Sequence, residues 1–448
     1  MLVVRGAIAL LAKLFDVFSD QTENKGEQLM QILPSEIIQL LENFRPLMRV
    51  EVFETFTLLL TGLLVGEAKH GTVRSSVFAA ADYQPARLSD FFTTHRVSPQ
   101  QLMAKLTELA LRLCYGGALP VRLFWIADST LTEKPYAAKI ASLGLFHRSK
   151  RVLGRAKHLK GHCYVCAAHL YQYLDADGQI AWASALCGAL LYVKGQSIPA
   201  LVGQLAAQLR LPNGVHHVWL VDRGILSRPL LRAVAALNQF ALGRAKVNQV
   251  VYFAPRRQPK RGRKKTYGQK CRVDRLLKQC PERLRAQSGK LRVQGKERAV
   301  KIYDAEILLR GVHKGRACPA RVLIVLVPAL KKLNPWYLLT TDLELDVLEA
   351  AKAYAGRAQV EVNFDEAKEL GLGHYQGRSG SGVRRWAVLV CLTQALLKLA
   401  ASGQLKLKLP KLNWSWYPRE TTVGQMRRRL IEHCRPRISR TLAPMPTA

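Results

Sequence analysis

The sequence predicts an α/β protein: a helical N-terminal region, then a core of strands and helices interrupted by a β-rich insertion. Three observations predict it. Apolar residues recur at helical spacing from Met1 to about Leu113. From Leu119-Pro120 onward, apolar runs of strand length come first as hairpins and then alternate with helical patterns. A stretch dense in Arg and Lys opens at Pro255, and strand-like patterns resume beyond it.

Within the N-terminal region, helical spacing runs through Ile8–Phe18, Ser35–Phe44, Phe53–Leu64 and Leu102–Leu113. The segment Lys69 to Phe78 reads as a basic helix start. Leu88-Ser-Asp-Phe-Phe follows, and then Ser98-Pro99, an N-cap with proline at the first helical position. Short helices with basic turns suit docking on a DNA backbone, though a plain helical bundle has the same pattern.

The core begins with Val121 to Asp128, an apolar strand ending on an aspartate. Lys134, Lys139, Arg148, Lys150, Arg151, Arg155, Lys157 and Lys160 follow. Strands Gly161–Leu174 and Ile180–Tyr192 are joined by Asp175-Ala-Asp-Gly178, a hairpin signal. A helix is expected over Ile198–Leu209. His217 to Asp222 is a second apolar strand ending on an aspartate. Arg223-Gly224 turn the chain, Ser227 is placed to cap a helix Arg228–Leu237, and a short strand spans Gln249–Phe253. Acids at the C-terminal tips of strands are where such sheets keep their polar chemistry, although an Asp there also serves as a plain turn residue.

From Pro255 to about Lys301 only Asp274, Glu282 and Glu297 oppose the cations. The densest part carries Arg256, Arg257, Lys260, Arg261, Arg263, Lys264 and Lys265. Basic runs are often simply solvated. This one interrupts an ordered pattern, since strands return at Val300–Leu309, Ala320–Val327 and Trp336–Thr341, so it reads as an inserted subdomain presenting cations to a phosphate backbone. One helix is expected from about Leu345 to Leu370, and another over Thr422–Cys434. Leu405, Leu407 and Leu409 alternate with Lys406 and Lys408 as a short edge strand.

Charge narrows the partner. A formal net charge of +36 over 448 residues opposes compaction unless a polyanion shares it, and points to nucleic acid. No run of about 20 apolar residues could span a bilayer, so no membrane is expected. Nine scattered cysteines suit a reducing, intracellular setting. Cys163-Tyr-Val-Cys166 has the spacing of a zinc half-site, but no second pair completes it and a strand would face the two cysteines apart.

The residues that carry chemistry gather late in the chain. On a continuous helix, Tyr354, Arg357, Glu361 and Lys368 stand at offsets 0, 3, 7 and 14 and share a face. A carboxylate flanked by a guanidinium and an ammonium suits a divalent cation beside phosphate oxygens, while ordinary helix-surface ion pairs need no ligand. Asp128 and Asp222 tip the balance, because three carboxylates brought together repel unless cations bridge them. Oxygen ligands suit Mg²⁺ or Mn²⁺.

These residues resemble the DDE transposases of bacterial insertion sequences, in the group with the signature Y-(2)-R-(3)-E-(6)-K. Tyr354, Arg357, Glu361 and Lys368 match every spacing. Val221-Asp222-Arg223-Gly224 resembles the second-aspartate motif and Ala127-Asp128-Ser129-Thr130 the first. Trp336 to Asp342 resembles the strand before the signature helix, and Leu370 to Arg378 the segment after it. Where the family often has Trp after the signature Arg, this chain has Ala358, which is expected to alter packing beneath the helix.

The resemblance implies an RNase H-like core with a β-rich insertion before the signature helix. Residues 1–117 are then a helical DNA-binding region, 118–254 and 336–402 the two parts of the core, 255–335 the insertion and 403–448 a basic tail. Asp128, Asp222 and Glu361 would hold two Mg²⁺, with Mn²⁺ as a substitute. Tyr354, Arg357, Lys368, Arg223 and Arg378 would position phosphates. The partners would be double-stranded terminal inverted repeats and target DNA, bound by a homodimer on the bacterial nucleoid in the cytoplasm. The activity would be end cleavage and strand transfer. A structure-selective endonuclease that does not join strands, and an inactive domesticated DNA-binding relative, are the alternatives. Trp219 and Trp336 are available to hold a flipped base, though strand-core packing suits each better.

Overall fold

A computed structural model describes residues 32–66, 85–137, 139–147, 157–256, 264–293, 295–330, 334–410 and 421–442. The expected helices Ile8–Phe18 and Lys69–Phe78 lie outside the described residues, as do Arg148, Lys150, Arg151 and Arg155. In chain order, four helices come first: α1 (Ser35–Glu42), α2 (Val50–Val65), α3 (Pro85–Thr93) and α4 (Pro99–Tyr115). Then follow β1 (Arg122–Glu133), β2 (Gly144–His147), β3 (His158–Leu174), β4 (Ile180–Leu191), α5 (Ile198–Gln208), β5 (His216–Val221), α6 (Arg228–Ala235), β6 (Phe240–Arg244), β7 (Val250–Tyr252), β8 (Lys270–Arg272), β9 (Arg285–Val293), β10 (Lys296–Leu309), β11 (Cys318–Leu326) and β12 (Trp336–Thr340). The chain ends with α7 (Val347–Gly356), α8 (Gln359–Glu369), α9 (Gly380–Ala401) and α10 (Val423–Leu442).

The chain forms two compact units. One comprises Leu106–Ala137 and Ser142–Asp365 and holds the sheet. Its strand order is β2-β3-β1-β5-β6-β12-β11-β10-β7-β8, with β4 on β3 and β9 on β10. β1, β3 and β4 are antiparallel neighbours. β5 and then β6 add parallel to β1, so the expected hairpins followed by alternating helix and strand are present. The β3–β4 turn is closed by Asp175, whose Oδ1 accepts the backbone N–H of Asp177 and Gln179, with Gly178 at φ +70°. Parallel strands buried on both faces read as unbroken apolar runs, and Val218 to Val221 are fully buried.

The basic segment does not form a separate layer. β9, β10 and β11 continue the same sheet through β12, which is antiparallel to both β11 and β6. Its three acids are taken by neighbours: Asp274 by Arg272 at 2.7 Å, Glu282 by Arg256 at 3.6 Å and Glu297 by Lys290 at 3.4 Å.

The other unit comprises residues 1–105, 138–141 and 366–448. Its described part is helical. Phe91, Phe92, Tyr375 and Trp386 pack ring against ring. Several arginines here close carbonyls left open at segment ends. The buried Arg385 donates to Phe91 O at 2.6 Å and Val97 O at 3.1 Å, and Arg427 donates to Leu64 O and Gly66 O. Ser98 caps α4 as expected, accepting the N–H of Gln101.

Four expectations need correction. The helix over Leu345–Leu370 is two helices, α7 and α8, broken at Arg357-Ala358. Gly356, about 1 kcal/mol poorer than Ala in a helix, ends the first. The strand carrying Asp128 does not stop there but runs on to Glu133, because β3 continues alongside it. Ser227 precedes α6 but its hydroxyl makes no cap hydrogen bond. Residues 405–409 are not a strand: Arg429 bonds the carbonyls of Leu409 and Pro410 that a ladder would have used. β6 was not expected at all.

Candidate active site

Register brings the two aspartates together. In the parallel ladder Ala127 stands opposite Val221, and Val221 opposite Gly243. The next residue on each strand is Asp128, Asp222 and Arg244. These three therefore occupy one rung just past the last parallel pairs of β1, β5 and β6, five residues before β1 itself ends, where adjacent strands stand about 4.8 Å apart. Arg244 is a site residue the sequence reading missed. Its strand, Phe240-Ala-Leu-Gly-Arg244, is short and rich in small residues; the signal that could have found it is a cation ending an apolar run, as Asp128 and Asp222 do.

Arg357 approaches this rung from the end of α7. Gly356 makes the approach possible: a Cβ there would lie 3.1 Å from Leu170 and 3.3 Å from Trp182. Arg357 Nη1 donates to Asp128 Oδ2 at 2.8 Å, and Nη2 stands 3.9 Å from Asp222 Oδ1. Asp128 also accepts the N–H of Ser129 on Oδ1 at 2.7 Å. Burial pushes the Asp128 carboxyl above its ordinary range, against the pull of Arg357. Burial likewise opposes the charged guanidinium, but Tyr354, Asp128 and Asp222 outweigh it and hold Arg357 above its usual value. The Tyr354 ring lies 5.9 Å from the Arg357 guanidinium carbon and meets Trp336 edge-on at 6.3 Å. Burial raises the Tyr354 phenol, with Arg357 and Arg244 opposing.

The other expected residues are placed as follows. Glu361 is exposed on the first turn of α8, and among the described residues no three His, Cys, Asp or Glu side chains lie close enough to hold a metal. The chain tightens at the joint before Glu361. Arg357, Ala358, Val360 and Glu361 each bond the carbonyl three residues back instead of four. A 3₁₀ step turns about 20° more than an α step, so Glu361 is displaced around the axis from the position a continuous α-helix would give it. Arg223 is exposed in the turn that Ile225 N closes on Asp222 O. Lys368 and Arg378 are exposed and belong to the helical unit. Of the basic run, Arg256, Lys264 and Lys265 are described; Arg257, Lys260, Arg261 and Arg263 lie outside the described residues. Ala358 is exposed at the joint, so the missing Trp leaves no gap beneath the helix, contrary to expectation. Trp219 is fully buried and donates to Gln239 Oε1 at 2.7 Å, a packing role. Cys163 and Cys166 are buried on β3.

Asp128 and Asp222 present oxygen donors only, which suits a hard divalent cation. The positive charge the pair requires is supplied in this structure by Arg357. A mixed α/β sheet with an acid pair where the pairing of two adjacent parallel strands ends defines a protein that handles polar chemistry at that edge. Residues 196–396, a little under half of the chain, match the family model described as a transposase DDE domain. That match supports a transposase and an RNase H-like core, in a family that generally uses divalent metal ions. It contains Asp222, Tyr354, Arg357, Glu361, Lys368 and Arg378, and begins beyond Asp128. No curated protein matches the chain. Among the described residues no helix is long and apolar enough to cross a membrane.

Proposed function

We propose that this protein is a DNA transposase that binds the terminal inverted repeats of an insertion sequence, cleaves the ends and joins the freed 3′-OH to target DNA. The observation that carries this reading is the Asp128–Asp222–Arg244 rung with Arg357 seated on its two carboxylates. Asp128, Asp222 and Glu361 would hold Mg²⁺, or Mn²⁺ in its place. Bound there, such ions supply Lewis-acid activation of the attacking oxygen and charge neutralisation at the phosphate. The chain's own residues bind and orient. Arg244, Arg223, Arg357, Lys368 and Arg378 offer donors to phosphate oxygens, and Tyr354 holds the Arg357 guanidinium by its ring face. The helical region 1–117 and the insertion 255–335 would grip the repeat, and a homodimer would bring two ends together.

The test uses purified protein, Mg²⁺ and labelled duplexes carrying the source element's ends with flanking DNA, beside Glu361→Gln. Cleavage at the boundary with joined products is expected. The variant should lose both by at least about a hundredfold, since even outer partners of a metal site cost 10–100-fold. Cleavage without joining would mark a nuclease. End-specific binding without cleavage, unaltered by the variant, would mark a DNA-binding relative.

A further inference from the structure

We infer that Arg357 has two stations: it is the counter-ion of Asp128 and Asp222 in the metal-free protein, and it leaves them for a DNA phosphate when a divalent cation takes the pair. The inference rests on the reading of that pair as a metal site. Three observations carry it. One guanidinium serves both carboxylates, at 2.8 Å and 3.9 Å, so a dication binding the same oxygens must compete with it directly. Arg357 has a second surface to remain on, because its guanidinium carbon already lies 5.9 Å from the Tyr354 ring centre, and that ring rests on Trp336. It also sits in the joint between α7 and α8, where the i→i−3 bonds over Tyr354–Glu361 mark a place at which a helix changes its winding.

The joint couples Arg357 to Glu361. While Arg357 is held on the aspartates the joint stays overwound, and Glu361 is turned away from the rung. Relaxing those bonds to the ordinary i→i−4 pattern rotates Glu361 back toward the face that carries Tyr354 and Arg357. Release of the arginine and arrival of the third carboxylate are then one movement, and the acid cluster assembles only when a cation is present to stabilise it. Premature clustering of three carboxylates is avoided by the same device.

The test reads the guanidinium itself. Full-length protein is treated with phenylglyoxal in EDTA, in Mg²⁺, and in Mg²⁺ with an end duplex, and modification at Arg357 is quantified by peptide mass spectrometry. Arg357 should be protected in EDTA, modified severalfold faster in Mg²⁺, and protected again when the duplex is added. Asp128→Asn should expose Arg357 in EDTA and abolish the response to Mg²⁺. Calorimetric titration with Mn²⁺ on the wild type and Asp128→Asn runs alongside. Asp128-dependent Mn²⁺ binding with Arg357 equally protected in EDTA and Mg²⁺ overturns the two-station inference and leaves the metal site standing. No Asp128-dependent Mn²⁺ binding, with or without duplex, overturns both.

Discussion

At the residue scale, the site shows how one side chain serves two acids. Arg357 gives Asp128 and Asp222 the positive charge that their proximity demands, and a Lys there would lose the fork that reaches both. A different residue, His169, illustrates a purely structural demand. It is wholly buried, its Nδ1–H donates to Phe124 O at 3.2 Å, and its Nε2 accepts from the Tyr115 hydroxyl at 2.9 Å. Burial lowers its pKa from 6.5 to about 3. The unfolded chain therefore takes up a proton near pH 6.5 that the folded chain refuses until about pH 3. Stability from this group is fully present above pH 6.5 and is lost as pH falls toward 3. At about 1.4 kcal/mol per pKa unit the loss is a few kcal/mol. Urea midpoints of wild type and His169→Gln, measured from pH 7 downward, should converge on acidification. A constant gap would mean that His169 does not contribute to acid sensitivity.

At the element scale, the sheet depends on close strand approach at one glycine. Gly161 pairs with Glu133 on β1 and Gly144 on β2, and a Cβ there would lie 1.9 Å from the Thr132 carbonyl oxygen. The three nearest atoms all belong to the β1 backbone, so no side chain can yield. Gly161→Ala should cost at least about 3 kcal/mol, at the upper end of overpacking penalties. Gly178→Ala, penalised only by its left-handed φ of +70° with open space around it, should cost about 1 kcal/mol. The two urea midpoints decide it: equal losses would sink the packing argument. The α7–α8 joint belongs to this scale too. Propensity favours one continuous helix over Leu345–Leu370, but Gly356 seats α7 against Leu170 and Trp182 and the ion pair of Arg357 draws the chain inward.

For the whole molecule, charge dominates. Arginines such as Arg385 and Arg427 are occupied by carbonyls, and Asp274, Glu282 and Glu297 each engage a cation, yet a formal +36 remains to be screened or shared. Affinity for DNA should therefore fall steeply with salt. If about eight phosphates are neutralised, log K plotted against log[salt] has a slope near −7. Arg244→Ala should reduce the steepness by about one, as expected for a single lost phosphate contact. Fluorescence-anisotropy titrations over a range of KCl concentrations measure both. A slope near zero would remove electrostatics as the source of affinity, and an unchanged slope in the variant would remove Arg244 from the DNA contact.

Much of this architecture was legible in one dimension. The strands over Ile180–Leu191 and His216–Val221, the Asp175–Gly178 turn, the cap at Ser98 and the spacing of Tyr354, Arg357, Glu361 and Lys368 all follow from local periodicity and turn chemistry, which act between near neighbours. What the tertiary structure alone decided is how those residues meet. Register between β1, β5 and β6 placed Asp128, Asp222 and Arg244 on one rung, because it is set by the packing of apolar faces across strands far apart in the chain. The short strand β6 and the continuation of the sheet into the basic segment have the same origin. The break at Arg357 arose because contact with β3 and β4 and an ion pair to Asp128 outweighed helix propensity, and it takes Glu361 out of the single helix whose spacing groups it with Tyr354, Arg357 and Lys368. Spacing along a chain measures distance only while the helix stays continuous, and here long-range contacts ended that continuity at the residue nearest the chemistry.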